Sequence, residues 1–181
     1  ADGVTASWID ASRRQLAASP LAVRAAALRH VLAFDGTPQP QRPADAGRRK
    51  RPVVLTAGEL PDVQRILRGG GYTTRAVTFT PFDSEAAAKV NHFETYNRTP
   101  GSQRVADLVA ALRAEPEAIL VAAGDEALAG VLAAAVAPPR LAVLDVKGFD
   151  PARDDAFLDH LYIPGLRRAG DLRTASEMAP D

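Results

Sequence analysis

Two apolar strands and the helix between them are predicted from residues 118–146, AILVAAGDEALAGVLAAAVAPPRLAVLDV. The first six residues are continuously apolar, which is typical of a strand covered on both faces in a parallel sheet. Gly124 breaks this run, and an alanine- and leucine-rich helix is predicted from about Glu126 to Val136, ended by two prolines. Leu141 to Val146 is then predicted as a second buried strand, with Asp145 near its C-terminal end.

The same alternation of strand and helix extends upstream. Residues 52–57 and 75–79 are short apolar runs that predict strands, and residues 60–67 between them have helical spacing. A long polar loop is expected up to Pro100, followed by a helix around residues 105–112. Strands that alternate with helices of this length predict an α/β fold with a parallel sheet of at least four strands flanked by helices. These strands are expected near Val53, Val77, Leu120 and Val143.

Three segments are predicted along the chain. Residues 1–35 form an N-terminal helical arm, residues 36–51 a proline- and arginine-rich linker, and residues 52–181 the α/β domain. The Ser19-Pro20 pair predicts an N-cap followed by proline at the first helical position. The arm is expected to pack on the domain or on a partner, because so few residues cannot bury an apolar face alone. Its apolar stripe consists of Leu21, Ala25, Leu28 and Leu32.

Composition restricts the classes of function. The 181 residues carry 22 basic and 22 acidic side chains, so the net charge of zero indicates no nucleic-acid partner. No apolar run approaches the roughly 18 residues that a membrane helix needs. The chain has no cysteine and does not begin with methionine, so we expect it to be processed. The expected location is extracellular or periplasmic, with the cytoplasm as the alternative.

The turn after residues 118–123 is the first candidate site. In parallel sheets ligands bind at the C-terminal ends of strands, and a nucleophile elbow has small residues two positions either side of the nucleophile. Ala123 and Ala127 flank Asp125 at that spacing, so Asp125 stands at the nucleophile position. The alternative is that Asp125 caps the following helix.

A second candidate site lies in the polar loop. His92 and Glu94 are predicted as an acid–base pair or as two metal ligands, and Tyr96, Asn97 and Arg98 as substrate-binding residues. Alternatively these side chains only hydrogen-bond the loop itself. No recognised metal-binding spacing occurs, and no metal or other cofactor is expected. We expect this loop and the Asp125 turn to line a shared cleft, because both follow strands of the same direction.

A family resemblance rests on three segments. They are the strand, turn and helix around Gly124 with the strand at 141–146 and Gly148-Phe149, the run His92–Arg98, and Ile163-Pro164-Gly165-Leu166 with Ala169–Leu172. Over residues 51–180 these segments resemble bacterial α/β hydrolases of the acetyl xylan esterase-like and dienelactone hydrolase-like type. The resemblance implies a secreted esterase that acts on acyl groups of carbohydrate.

The chain departs from this family at the elbow. Where the family has serine this chain has Asp125, and His160 is the only histidine that follows it. The catalytic candidates are therefore Asp125 with His92, Glu94 or His160 as base. The alternative function is a non-catalytic, hydrolase-like domain that braces or completes a catalytic partner or the remainder of its own polypeptide. On either view little or no esterase activity is expected from these 181 residues alone.

Overall fold

Strands and helices alternate along a computed structural model, which describes residues 11, 13–34, 51–90 and 97–178. The strands are β1 (Val54–Ala57), β2 (Thr74–Ala76), β3 (Ile119–Ala123) and β4 (Leu141–Asp145). The longer helices are α1 (Leu21–Val31), α2 (Pro61–Gly69), α3 (Ser84–Ala88), α4 (Pro100–Ala114), α5 (Asp125–Val136), α6 (Asp154–His160) and α7 (Asp171–Met178). A 3-10 helix spans Leu166–Ala169, and residues 13–17 are also helical.

The four strands form one parallel sheet in the order β2-β1-β3-β4. This confirms the predicted α/β fold, with strands within a residue or two of their expected positions. β2 is shorter than the predicted run 75–79. Its ladder continues only to Val77, whose N–H donates to the Thr56 carbonyl at 2.8 Å. Three residues later the Thr80 N–H donates to Asp107 of α4 at 2.7 Å, so the backbone has left the sheet.

One face of the sheet carries the main core. Leu55, Leu120 and Ala122 point into it and belong to the same buried cluster as Leu108 and Leu132 of the covering helices. α4 and α5 pack side by side on this face, α7 packs on α5, and α1 packs on α7. The predicted strand–helix alternation therefore buries a core chiefly on one side of the sheet.

The other face is covered unevenly. α2 lies over β1, where Gln64 Nε2 donates to the buried Thr56 hydroxyl at 2.9 Å, but no residue of α2 is fully buried. Over β3 the side chains on this face are half-buried, and over β4 Leu141 and Val143 each remain 53% exposed. Within the part of the chain that the structure describes, β3 and β4 therefore expose apolar side chains on this face of the sheet.

The N-terminal arm packs on the domain through α1. Three of its four stripe residues are buried, whereas Leu21 is partly exposed. The predicted Ser19 cap is wrong. Pro20 occupies the N-cap position without a side-chain bond, and the Ser19 hydroxyl instead donates to the Gln15 carbonyl at 3.0 Å. Ser19 is therefore already committed to the preceding helical turn. Most of the predicted linker, residues 36–50, lies outside the described residues.

A short helix occupies part of the predicted polar loop. α3 begins after Asp83, whose Oδ1 accepts from the Ala86 N–H at 2.9 Å, an N-cap that the sequence analysis missed. Residues 91–96 of the same loop lie outside the described residues. None of the helices that the structure describes is both long and apolar enough to cross a membrane.

An ion pair joins the arm to the C-terminal helix, and it predicts a pH dependence of stability. The hydrogen bond from Arg24 lowers the pKa of the Glu177 carboxyl below its ordinary value of 4.5. A lowered folded-state pKa stabilises the protein above the unfolded value, and this contribution is lost as the pH falls through the folded value. We expect Glu177→Gln to lower the Tm by about 1–3 °C at pH 7.

The measurement is the Tm of both proteins from pH 7 down into the acid range. The difference between wild type and Glu177→Gln should close as the pH drops below the ordinary carboxyl value of 4.5. Glu59→Gln is the control, because Glu59 is an exposed carboxylate in the turn after β1. A difference that stays constant with pH would show that the pair does not act through ionisation of Glu177.

Candidate functional site

A cleft of about 300 Å³ opens at the C-terminal ends of β3 and β4. Its walls come from the turn after β3, the segment that follows β4, and α6. This is the edge of a parallel sheet at which ligands commonly bind. The lining residues are Gly124, Asp125, Leu128, Val146, Lys147, Gly148, Phe149, Asp150, Arg153, Ala156, Asp159 and His160.

Asp125 and His160 contact each other at the wall of this cleft. Asp125 Oδ1 lies 3.0 Å from His160 Nδ1, and the two side chains are 34% and 53% exposed. A carboxylate only accepts hydrogen bonds, so the Nδ1 of a neutral His160 carries the proton and Nε2 is left as an acceptor. The ring of Phe149 stands edge-on to the imidazole at 6.4 Å between centroids. This acid–histidine arrangement fixes a tautomer suited to proton transfer at Nε2.

Gly124 makes the turn that brings Asp125 to the cleft. Its φ of 68° and ψ of −138° lie in a region that side chains strongly disfavour. The strained residue of this turn is therefore Gly124, one position before the predicted nucleophile, and Asp125 is the first residue of α5. The chain reverses sharply here because glycine adopts this conformation readily, and not because of crowding, since the nearest atom to the position its Cβ would take is 4.0 Å away.

The structure does not support Asp125 as a helix cap. Gly124 is the N-cap residue, and its carbonyl accepts from the N–H groups of Ala127 and Leu128 at 3.0 and 3.2 Å. The Asp125 carboxylate instead turns towards α6 and His160. Its negative charge still lies at the positive end of α5, where the helix dipole stabilises it.

Arg104 of α4 joins the site from the other side, a role that was not predicted from the sequence. Its Nη1 lies 3.7 Å from Asp125 Oδ2, and its Nε lies 4.0 Å from Glu126 Oε1. One signal was available, because Arg104 directly precedes Val105, the first member of the apolar stripe that faces the core. A charged residue at the margin of a buried stripe tends to meet a partner on the neighbouring element.

Glu126 and Gly58 close the neighbouring crevice between β1 and β3. The strand order reverses between these two strands, which is where an open α/β sheet often binds a ligand. Here a Cβ placed on Gly58 would lie 2.8 Å from the Ala123 carbonyl oxygen and 3.3 Å from Glu126 Oε2. Glu126 therefore occupies this crevice, and the accessible site is displaced to the β3–β4 side.

The other predicted site residues have mixed outcomes. His92, Glu94 and Tyr96 lie outside the described residues, so the predicted rim formed with the Asp125 turn stays a prediction. Asn97 and Arg98 are exposed and do not line the cleft. Next to them, Thr99 Oγ1 donates to the Tyr162 carbonyl at 2.6 Å, which ties the start of α4 to the segment after α6. That tie helps to hold α6, and with it His160, against α5.

Comparisons with protein-family models, with curated proteins and with solved structures found no match to this chain. Among the described residues no group of three or more histidine or acidic side chains is placed to hold a metal ion.

Proposed function

We propose that this protein hydrolyses carboxylic esters, with His160 as the general base and Asp125 as the residue that holds it. The observation that carries the proposal is the 3.0 Å contact between Asp125 Oδ1 and His160 Nδ1 at the wall of an open cleft. An imidazole with a fixed tautomer and an accessible second nitrogen is the usual general base of hydrolases.

The reaction would use water as the nucleophile. His160 Nε2 takes a proton from a water molecule while the water oxygen attacks the ester carbonyl carbon. The tetrahedral intermediate then collapses, its bond to the alkoxy oxygen breaks, and the protonated imidazole returns the proton to that oxygen. The products are a carboxylic acid and an alcohol. Asp125 stays ionised throughout and stabilises the imidazolium.

This proposal gives Asp125 a different role from the nucleophile expected from the elbow spacing. One carboxylate oxygen contacts His160 and the other lies 3.7 Å from Arg104 Nη1. An oxygen held by such donors is a weaker nucleophile, and its attack would break the contact that orients the imidazole. Water activated by His160 avoids this conflict. With water as the nucleophile, the sharp turn at Gly124 does not have to carry a nucleophilic side chain.

The lining of the cleft suits an acylated carbohydrate. Asp150 and Asp159 offer acceptors for sugar hydroxyls, and Lys147 offers donors, whereas Arg153 is paired with Asp155. Phe149 adds an aromatic surface beside His160, against which an acyl group or a sugar face can pack. The substrate class that we propose is therefore a small acyl ester, such as an acetyl ester, of a hydroxyl-rich alcohol.

This proposal replaces the expectation of little or no esterase activity, because His160 and Asp125 of this chain meet without any further strand. The experiment is hydrolysis of 4-nitrophenyl acetate by wild type and by His160→Asn. An asparagine amide can still donate to Asp125, but it has no basic nitrogen. We expect the rate above the buffer background to fall about 10²-fold or more, since general-base catalysis typically contributes 10²–10⁴-fold. His30→Asn, an exposed histidine of α1, is the matched control and should keep full activity. Equal rates for wild type and His160→Asn would rule the proposal out.

Two observations favour a second function, a non-catalytic domain that braces or completes a catalytic partner. The strained position of the turn is held by Gly124, which has no side chain to act as a nucleophile. Two carboxylates, Asp125 and Glu126, also stand at the end of α5 where a hydrolase would stabilise a developing oxyanion. Under this second function wild type hydrolyses no ester above background, while the His160–Asp125 contact contributes only to packing.

A further inference from the structure

The turn after β4 contains a strained lysine. Lys147 and Gly148 have φ values of 48° and 74°. Around them the Phe149 N–H donates to the Val146 carbonyl at 3.0 Å, which closes a four-residue turn. Positive φ at both central positions is the property of a type I′ turn. Asparagine, aspartate and glycine suit the first of these positions, whereas a lysine there holds an unfavourable left-handed backbone.

Asp145 holds this turn in place. The Lys147 N–H donates to Asp145 Oδ1 at 3.0 Å, and the Asp145 carbonyl accepts from the Gly124 N–H at 2.8 Å. The strained lysine is therefore tied to the end of β4 and to the turn that precedes Asp125. Strained backbone that is held by its surroundings is concentrated at functional sites. Here it lies at the wall of the cleft that also contains His160.

Lys147 also supplies an unpaired positive charge to this cleft. Two lining side chains are permanently cationic, Lys147 and Arg153. Arg153 is occupied, because its Nε donates to Asp155 Oδ1 at 3.1 Å. No carboxylate of the described residues forms an ion pair with the Lys147 ammonium, which is thus available to an anion in the cleft.

The proposed ester hydrolysis requires a donor for the oxyanion that develops on the carbonyl oxygen. Helix N-termini commonly serve this purpose, but the start of α5 already carries the carboxylates of Asp125 and Glu126, which repel a further anion. An ammonium group elsewhere in the cleft avoids that repulsion. The cleft of about 300 Å³ is small for a ligand pocket, so a substrate that contacts His160 also lies against Lys147.

We propose that the Lys147 ammonium binds the oxyanion formed during ester hydrolysis, an inference that rests on the proposed function. As the water oxygen bonds to the carbonyl carbon, the π electron pair of the C=O bond moves on to the carbonyl oxygen. The ammonium donates a hydrogen bond to this oxyanion and keeps its proton. When the intermediate collapses, the electron pair re-forms the C=O bond and the alkoxy group leaves. Since an ammonium has three donors, another remains for a substrate hydroxyl.

The test is steady-state hydrolysis of 4-nitrophenyl acetate by variants of Lys147. Lys147→Met keeps the length and the strained backbone but removes the charge. Because the oxyanion exists only beyond the ground state, we expect kcat and kcat/KM both to fall about 10²-fold while KM hardly changes. Lys147→Arg retains a charged donor and should stay within about 10-fold of wild type. Lys89→Met is the matched control, an exposed lysine at the end of α3, and should keep the wild-type rate.

Thermal melting separates the catalytic role from a structural one. Lys147→Asn removes the charge and also relieves the strain, because asparagine suits this turn position. We expect its Tm to rise by about 2–4 °C although its kcat falls as in Lys147→Met. Lys147→Met and Lys147→Arg should melt like wild type, since both keep the strained backbone. A Tm of Lys147→Asn at or below that of wild type would show that the lysine is not strained and would overturn the proposal.

Failure of this inference differs from failure of the proposed function. A wild type without activity, or with the same rate as His160→Asn, overturns both. Activity that depends on His160 but is unchanged in Lys147→Met overturns the oxyanion role alone. A higher KM with constant kcat in Lys147→Met also overturns it, because Lys147 would then bind the substrate equally in the ground state and the transition state.

Discussion

Asp125→Asn is expected to lower the kcat for ester hydrolysis about 10²-fold while the Tm moves by less than about 3 °C. The reason is the tautomer of His160. An aspartate at 3.0 Å requires the proton on Nδ1 and leaves Nε2 free to take a proton from water. The asparagine amide can accept from Nδ1 or donate to it, so it no longer selects the active tautomer. Steady-state kinetics with 4-nitrophenyl acetate and thermal melting measure the two quantities.

Glu126→Gln is the matched control for this substitution. Glu126 also lies in the first turn of α5 and also approaches Arg104, at 4.0 Å, but no contact joins it to His160. Both variants remove one negative charge from the same helix end, so a general electrostatic effect would lower both rates alike. A large loss in Asp125→Asn alone supports the positioning role. Equal losses would assign the effect to charge at the helix end and contradict it.

Gly58→Ala is expected to reduce the free energy of unfolding by about 3 kcal/mol. Gly58 has a φ of +88°, which costs any residue with a side chain about 1–2 kcal/mol. A methyl group there would also lie 2.8 Å from the Ala123 carbonyl oxygen, closer than real contacts allow. That oxygen belongs to β3, so relief requires β1 and β3 to separate at the edge of the site. Urea denaturation measures the loss.

Gly148→Ala separates the two contributions. Gly148 has a similar φ of +74°, but no atom lies within 4 Å of the position its Cβ would take. Only the backbone strain applies, and we expect a loss of about 1 kcal/mol. If the two alanine variants were equally destabilised, the packing of the β1 turn against β3 would not be the tight contact inferred for Gly58.

The strands and helices of the sheet were largely predictable because their signals are local. The apolar run at 118–123 and the helical spacing of 105–112 depend only on neighbouring residues, and both appear where they were expected. Two errors came from local competition. Ser19 has a hydroxyl that suits a cap, yet the preceding turn offered it the Gln15 carbonyl instead. Asp83 caps α3, a helix that was not predicted because the segment was taken as a polar loop.

The candidate site was predictable only in part. Position along a parallel strand places Asp125 at the C-terminal edge of the sheet, and this required no knowledge of distant contacts. The partner of Asp125 was not determined in the same way, because His92, Glu94 and His160 were equal candidates. Arg104 carried a weak signal, since an arginine beside an apolar stripe has many surface partners to choose from.

The sequence by itself determined that β3 turns sharply at Gly124 and presents an acidic residue at the sheet edge. Only the tertiary structure decided that His160, 35 residues away, meets that residue at 3.0 Å. The direction of α6 decides this contact, and it depends on how Phe157 is buried between Phe149 and the guanidinium of Arg167. The open face of β4 is likewise a tertiary fact. Apolar residues run without a break from Leu141 to Leu144, as they do in a strand covered on both faces, and only the path of the helices leaves one face of β4 bare.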